Sequence, residues 1–437
     1  MSTIIDISTA NGVLAALKRT YQEGEPMSQF PEETYYTRAM KPKRRSIGAG
    51  LYDDIQTKQN QSYGLRNNGS NDNQDMPESL AAVFQAANWD MARGYLRLVL
   101  TGKAANRALS GGEKASFIRN LAFLQSDIEN AWAKHLEFSL LNTPSATGSY
   151  SGVCGVLNNA GYVAADAVTF TLDITTNATC RRYKLFQGIQ DGQKLDVFRV
   201  STGAVVASII VDTVSLSAGT FTGSLSADIA ATSNEFYLVN QGDFNQDVNG
   251  LGAILDDGTY TSTLGGVTTG GQWVGTELDG SGTLRDFAPD FMDRASLTAI
   301  KANGGKPTQA WMSFGMKQQL MAYIQRVVQI NAPSGGKSPI KVNPAGDVDS
   351  WGPNASIHTS AYMPAHEIFI IQPEGILIEE QEPLHPVMVS GSSERPNFWQ
   401  KLPGKDTWEA TLVHEVQQRT RRRNVHVKIS DLNQPTF

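Results

Sequence analysis

The stretch SGGEKASFIRNLAFLQSDIENAWAKHLEF, residues 110–138, carries the clearest periodic signal in the chain. Ser110-Gly111-Gly112-Glu113 has the spacing of a capping box, in which the serine hydroxyl and the glutamate carboxylate satisfy orphan amides of a first helical turn. Behind it Phe117, Leu121, Leu124, Ile128, Ala131, His135 and Phe138 recur at alternating steps of four and three. That spacing lays one apolar stripe along a helix. With no proline before Pro144 the helix should run for about 30 residues, or ~45 Å at 1.5 Å per residue. His135 lies on the stripe with no second metal ligand beside it, so it is expected to be a packing histidine.

Working outward toward the start, Tyr95-Leu96-Arg97-Leu98-Val99-Leu100-Thr101 alternates as a half-buried strand does. Before it, Arg45 to Pro77 passes through Gly48, Gly50, Gly64 and Gly69 and the polar tract Asn67 to Asn73. Such a segment buries too little apolar surface to order itself. It reads as an extended loop held by something else, a neighbouring copy being the obvious candidate. Residues 1–44 read as a polar arm, with only a weak apolar pattern at Ile4, Ile5, Val13, Leu14 and Leu17.

Working outward in the other direction, the texture becomes β-rich between about Val163 and Val239. Val168–Leu172, Leu195–Val200, Val205–Val211 and Phe236–Val239 are short apolar runs separated by turns such as Ser201-Thr202-Gly203. The spacing predicts a small sandwich or barrel, read as an inserted domain. A Gly- and Thr-rich passage to Gly282 follows, then helical patterning at Leu297–Lys301 and Met316–Val328. Glu367–Ile371 and Gly375–Ile378 have the continuous apolar character of buried strands, and Trp408–Val413 and Val425–Ile429 alternate like strands. There is no internal repeat at a fixed period.

At 437 residues the chain exceeds what one hydrophobic core organises, so two or three lobes are expected. No apolar run is long enough for a membrane helix, and Met1 to Ala10 lacks the pattern of a secretion signal; the chain is read as soluble and unsecreted. Cys154 and Cys180 have neither metal-ligand spacing nor the density of a disulfide scaffold, and are expected to be free buried thiols. A net charge of -6 argues against a protein whose main business is gripping phosphates. Two basic clusters stand out nonetheless: Lys41, Lys43, Arg44 and Arg45, and then Arg419, Arg421, Arg422 and Arg423. A solvated face or an ion pair between subunits is the plainer reading of them, and contact with DNA the sharper one.

Several near-motifs fail at a residue their chemistry requires. Ser334-Gly335-Gly336-Lys337-Ser338 ends like a phosphate loop but has Asn331 where the first glycine belongs. His414-Glu415 opens like a zinc-protease helix, yet Gln418 stands at the second histidine position and the surroundings alternate as a strand. Asp243, Asn245 and Asp247 begin like a calcium loop, but Val248 and Ile254 replace its glycine and its bidentate carboxylate. Asp256-Asp257 and Glu379-Glu380 are adjacent carboxylates without an evident acid or base partner. No catalytic residue, metal or cofactor is expected.

The order of segments is arm, long loop, strand, capped long helix, β-rich insert, mixed lobe, returning strand. It resembles the tailed-phage major capsid family with the Hong Kong ninety-seven-type fold. Three stretches carry the likeness. Gly94–Ala104 running into the helix is similar to the family's loop-to-spine passage. Val248-Asn249-Gly250-Leu251 leading through an apolar run to Asp256-Asp257-Gly258 is similar to its Asn-Gly-Leu turn and paired aspartates. Leu402-Pro403-Gly404-Lys405-Asp406 before an alternating strand, then Arg421-Arg422-Arg423-Asn424 and Ile429-Ser430-Asp431-Leu432, resembles its C-terminal return.

The resemblance implies an α+β fold with an N-terminal arm at 1–44, an extended loop at 45–100, and a peripheral domain with the spine helix at 101–162. An inserted small β-domain would take 163–245, a return to the peripheral domain 246–284, an axial domain 285–390, and the C-terminal strands of the peripheral domain 391–437. It implies a structural subunit, not an enzyme, assembling as hexamers and pentamers into an icosahedral or prolate shell around double-stranded DNA, in a virion built in the host cytoplasm. Implied partners are a portal, a separate scaffolding protein, a decoration protein, and DNA through weak non-specific contact, with no membrane. Lys41, Lys43, Arg44, Arg45, Lys58, Arg66, Arg419, Arg421, Arg422 and Arg423 are the candidate contacts to neighbouring subunits or DNA. The competing readings are an encapsulin-like compartment shell and a β-rich adhesin in which Trp273, Trp351, Trp399 and Trp408 stack on sugars.

Overall fold

The apolar stripe folds as a 28-residue helix, Lys114–Leu141, in the computed structural model. The structure describes residues 34–44, 51–60, 81–101, 114–141, 152–157, 161–172, 189–199, 202–215, 220–230, 236–244, 246–259, 261–281, 283–328, 341–342, 348–351, 355–381, 384–386, 400–401 and 404–433, with side chains in the long helix from 126 onward. The capping box at 110–113, the polar tract at 67–73, Cys180, Trp399 and the phosphate-loop look-alike at 334–338 lie outside these. Among the described residues no helix is long and apolar enough to cross a membrane.

The single-stripe expectation needs correction at the helix's C-terminal end. Ala131 is exposed, whereas from Lys134 to Leu141 all residues but half-buried His135 are buried, including Glu137 and Ser139. That end is enclosed by other elements on every side, so its polar residues have partners within the chain. Ser139 Oγ donates to Asp247 Oδ2 at 2.6 Å. One turn earlier Trp132 lies against Gly94, where a Cβ would overlap the indole. Its Nε1 donates to His414 Nδ1 at 3.0 Å. Gly94 and His414 are register partners, so one indole keys the helix to two strands.

Where a loop was expected, Leu51–Lys58 and Val83–Trp89 form an antiparallel ribbon, paired from Leu51↔Trp89 to Lys58↔Val83 with one register shift between Gln56 and Lys58. One face carries Leu51, Ile55, Ala87 and Trp89 into the main core. The other presents Tyr52 and Phe84, each more than 60% exposed. The sequence hid this strand because its polarity is partly inverted: in Leu51-Tyr52-Asp53-Asp54-Ile55 the tyrosine points out and Asp53 points in.

Ala92–Thr101 then pairs along ten residues with the 14-residue return strand Thr407–Thr420. On the return strand's other side lie Ile376–Glu380, His385–Pro386 and Gln400–Lys401, and Lys43–Arg44 adds in parallel to Ile376–Glu380.

The β-rich segment is one six-stranded sheet in the order Val153–Leu157, Phe236–Asn240, Lys194–Arg199, Ala204–Ser215, Thr220–Leu225, Val168–Thr171. A bridge between Leu157 and Leu172 joins its first and last strands, so the sheet closes into a barrel. It begins about ten residues before the expected start at 163, because Val153–Leu157 is needed to close it. Cys154, in that first strand, is a free buried thiol donating to Leu238 O, and burial pushes it up to about 12.

A seven-stranded mixed sheet runs Thr276–Leu278, Val427–Ile429, Ile368–Ile371, Gln309–Met312, Ala355–Thr359, Val348–Trp351, Lys341–Val342. Helices Pro289–Asn303 and Phe314–Val328 cover one face through Met292, Ala295, Ala299, Met316 and Leu320, packed with Ala310, Met312, Ile368 and Ile370. The alternate residues Trp311, Phe369 and Ile371 join the main core. Burial on both faces explains the continuous apolar reading of 367–371.

The expected boundary at 390 does not separate the two sheets. Ile368–Ile371 pairs with Val427–Ile429 in the mixed sheet, and their continuations Ile376–Glu380 and Thr407–Thr420 pair in the other. Both chains cross together through short turns at Pro373–Gly375 and Arg423–Val425. His426 sits inside this double corner, fully buried. Its Nδ1 accepts from Gln372 N at 3.2 Å.

Burial, reinforced by Arg422, pulls His426 down to about 3. A depressed histidine favours the native state above its ordinary pKa near 6.5, and that stability drains away as pH falls toward the depressed value. We expect denaturation free energy to decline by up to about 1.4 kcal/mol per pH unit below pH ~6.5. The variant His426→Gln should show a shallower decline, and an unchanged pH profile would overturn this assignment.

Candidate functional site

The two basic clusters, some 375 residues apart in sequence, flank one strand. Lys43 is aligned with Glu379 on one side of Ile376–Glu380, and Gln417 is aligned with Glu379 on the other. Lys41 and Lys43 are exposed, as are Lys58 at the ribbon's far end and Arg421 and Arg422 just past the return strand. The Arg44 side chain, Arg45 and Arg66 lie outside the described residues.

Arg419 and Arg423 do not belong with these outward groups. Both guanidinium groups are buried within the chain. Arg419 Nη1 bonds Asp53 of the ribbon, and Nη2 bonds Glu379. Burial pulls the Arg419 pKa down, but its ionic hydrogen bonds to Glu379 and Asp53 more than offset that and hold it above the usual value. Exposed Arg421 reaches the other Asp53 oxygen at 3.2 Å. Asp53 thus ties the ribbon to the end of the return strand.

Arg423 serves the paired-aspartate passage. Its Nε and Nη2 donate to the carbonyls of Ile254, Ala253 and Asp256 at 2.8–3.1 Å, and Nη1 donates to Thr269 Oγ1 at 2.8 Å. These carbonyls end the short helix Leu251–Leu255, so a cation closes the negative end of that helix. The guanidinium also lies over Trp273, 5.8 Å from the ring centre. Burial lowers Arg423 to about 10. Trp273 is itself buried, which removes it from any sugar-stacking surface.

Asp256, Asp257 and Glu277 bring carboxylate oxygens close enough to hold a cation. The charge there comes from the buried ammonium of Lys428, 2.9 Å from Glu277 and 3.5 Å from Asp256. Two further oxygens are engaged locally. Asp256 Oδ2 accepts from Gly258 N and Thr261 N, and Asp257 Oδ1 from Thr259 N and Oγ1. The set therefore reads as a staple joining three segments. Sequence reading found the aspartate pair but not Glu277 or Lys428, which lie about 20 and 170 residues away and carry no motif.

Two other near-motifs also find structural partners. His414 lies in the return strand as expected, and its Nε2 faces Glu380 Oε2 at 3.2 Å. His135 Nε2 stands 3.6 Å from Asp243 and 3.8 Å from Asp247, while Nδ1 meets Asn240 Nδ2 at 3.1 Å. The packing histidine and the calcium-like turn, unrelated in sequence, form one cluster. Burial raises Asp243, and His135 pulls it back. Beside this cluster a cavity of about 340 Å³ opens between the long helix and the barrel turn at Gln190–Gln193.

No family model and no curated protein matches the chain. Among solved structures, a chain from the capsid asymmetric unit of cyanophage A-1(L) matches with a TM-score of 0.53 at 11% identity, over 95% of this chain and 99% of that one. A capsid chain of a native GTA particle matches with a TM-score of 0.44 at 9% identity, over 95% and 99%. A chain of Microbacterium phage Oxtober96 matches with 0.43 at 10% identity, over 99% and 100%.

Proposed function

We propose that this chain, which shares its fold with the cyanophage capsid chain along nearly its whole length, is a structural subunit of a phage capsid shell. The observation that carries the reading is that coverage: the match spans 95% of this chain and 99% of the other rather than one common domain. In this reading the long helix is the spine of a peripheral domain, the mixed sheet with its two helices is the axial domain, and the barrel is an insert. The work is self-association, in which many weak copies of the same contacts close a shell.

The ribbon supplies the most apparent grip. It pairs with no third strand among the described residues, and its outer face offers Tyr52 and Phe84 to solvent. A two-stranded ribbon of this kind is marginal alone and gains by packing on a neighbour. Phe84→Asp should leave the thermal midpoint of the subunit within a few degrees while abolishing particles seen by electron microscopy of the protein expressed alone. Particles that form normally would exclude the ribbon as a grip. Wild-type subunits that stay monomeric at high concentration would count against the shell itself.

Among the described side chains Lys41, Lys43, Lys58, Arg421 and Arg422 remain candidate contacts to neighbours or to packaged double-stranded DNA, beside Arg44, Arg45 and Arg66. With a net charge of -6 such contact would be weak and salt-sensitive. Portal, scaffolding and decoration proteins are the further partners this reading calls for, within a virion assembled in the host cytoplasm.

A further inference from the structure

The short segment Thr34–Arg44 is fixed to the body by four contacts of different kinds. Tyr36 N and Thr37 N, in the first turn of the helix Tyr35–Met40, donate to the two carboxylate oxygens of Glu137 at 2.6 and 2.9 Å. The Tyr36 ring is fully buried and meets Trp311 edge-on, with centroids 5.1 Å apart. Its hydroxyl donates to Gln418 Oε1 at 3.3 Å. Lys43 and Arg44 then pair with Glu379 and Glu380. The long helix, the mixed sheet and the return strand therefore all touch this one segment.

We infer that Thr34–Arg44 is a clasp, a segment poised between docked and undocked states, and that Glu137 is its catch. Glu137 suits the role because it is buried in the long helix and its oxygens also accept Thr37 Oγ1 and Ser360 Oγ. Burial raises its pKa, and the hydrogen bonds from Thr37, Tyr36 and Ser360 counter this. Undocking would replace those bonds with water. The docked segment is short, so removing one anchor should tip it. Undocked, the segment of about eleven residues would reach roughly 35–40 Å when extended. The inference does not depend on the shell reading, since it concerns a single copy.

The test is amide hydrogen exchange on the full chain, comparing wild type with Glu137→Ala, Glu137→Gln and Tyr36→Ala. Glu137→Ala should speed exchange in 34–44 by about tenfold, as loss of a helix cap does, while 404–433 keeps its protection. Glu137→Gln retains one acceptor oxygen and should fall between the two. Tyr36→Ala leaves Glu137 and the long helix intact while removing the segment's ring from Trp311 and its hydroxyl from Gln418, so it decides the matter if Glu137→Ala loosens the whole molecule; loss of protection confined to 34–44 supports the clasp. Protection of 34–44 that survives in Tyr36→Ala, or that is equal in Glu137→Ala and wild type, overturns it.

Discussion

Lys428→Met is expected to lower the unfolding free energy by about 3–5 kcal/mol, the usual consequence of stripping the cation from a buried charge group. The ammonium is wholly buried, and so are the Asp256 and Glu277 carboxylates it faces. A methionine of similar length fills the space but leaves two carboxylates facing each other in a region of low polarity, where one must take up a proton or draw in water. Denaturant titration measures the loss. Adding Glu277→Gln should recover a good part of it, because only one carboxylate then lacks its cation. A single variant within 1 kcal/mol of wild type would show that the staple contributes little.

Arg419→Met is expected to cost about 3 kcal/mol and to act at a different place. Its guanidinium joins Asp53 in the ribbon to Glu379 beside the return strand. Without it the inward Asp53 keeps only Arg421, a mostly exposed partner whose pairing is screened by water. Exchange protection should therefore fall first in 51–58 and 83–89, before the return strand loosens. Arg421→Ala, by contrast, should cost less than about 1 kcal/mol. Equal effects of the two substitutions would sink the distinction drawn between the buried and exposed arginines.

How much of this was legible in the sequence depends on whether a residue's partner is local. The long helix, four of the six barrel strands and the alternation at Trp408–Val413 follow from nearest-neighbour patterns and fall within described elements, whereas Val153–Leu157 and Thr220–Leu225 were not anticipated. The ribbon was missed because Asp53 takes an inward position normally held by an apolar residue, for the sake of an arginine more than 360 positions away. Arg419 and Arg423 were grouped with Arg421 and Arg422 because a run of cations looks alike whichever way each side chain turns. The corner at 373–375 and 423–425 was unreadable for a related reason. Each turn looks like an ordinary break between strands, and only their coincidence in space shows that two paired strands change sheets together. Glu137 carried no signal, as it interrupts an otherwise ordinary helical stretch.

The barrel has a further consequence for which strand edges of the molecule stay open. Every open strand edge is a socket for unplanned partners. In the six-stranded sheet the bridge between Leu157 and Leu172 brings the two outer strands together, so fewer backbone groups stand open there than at the ends of a flat sheet. Among the described residues the open borders lie elsewhere, on the ribbon, on the outer side of Ala92–Thr101 and on the end strands of the mixed sheet, Thr276–Leu278 and Lys341–Val342.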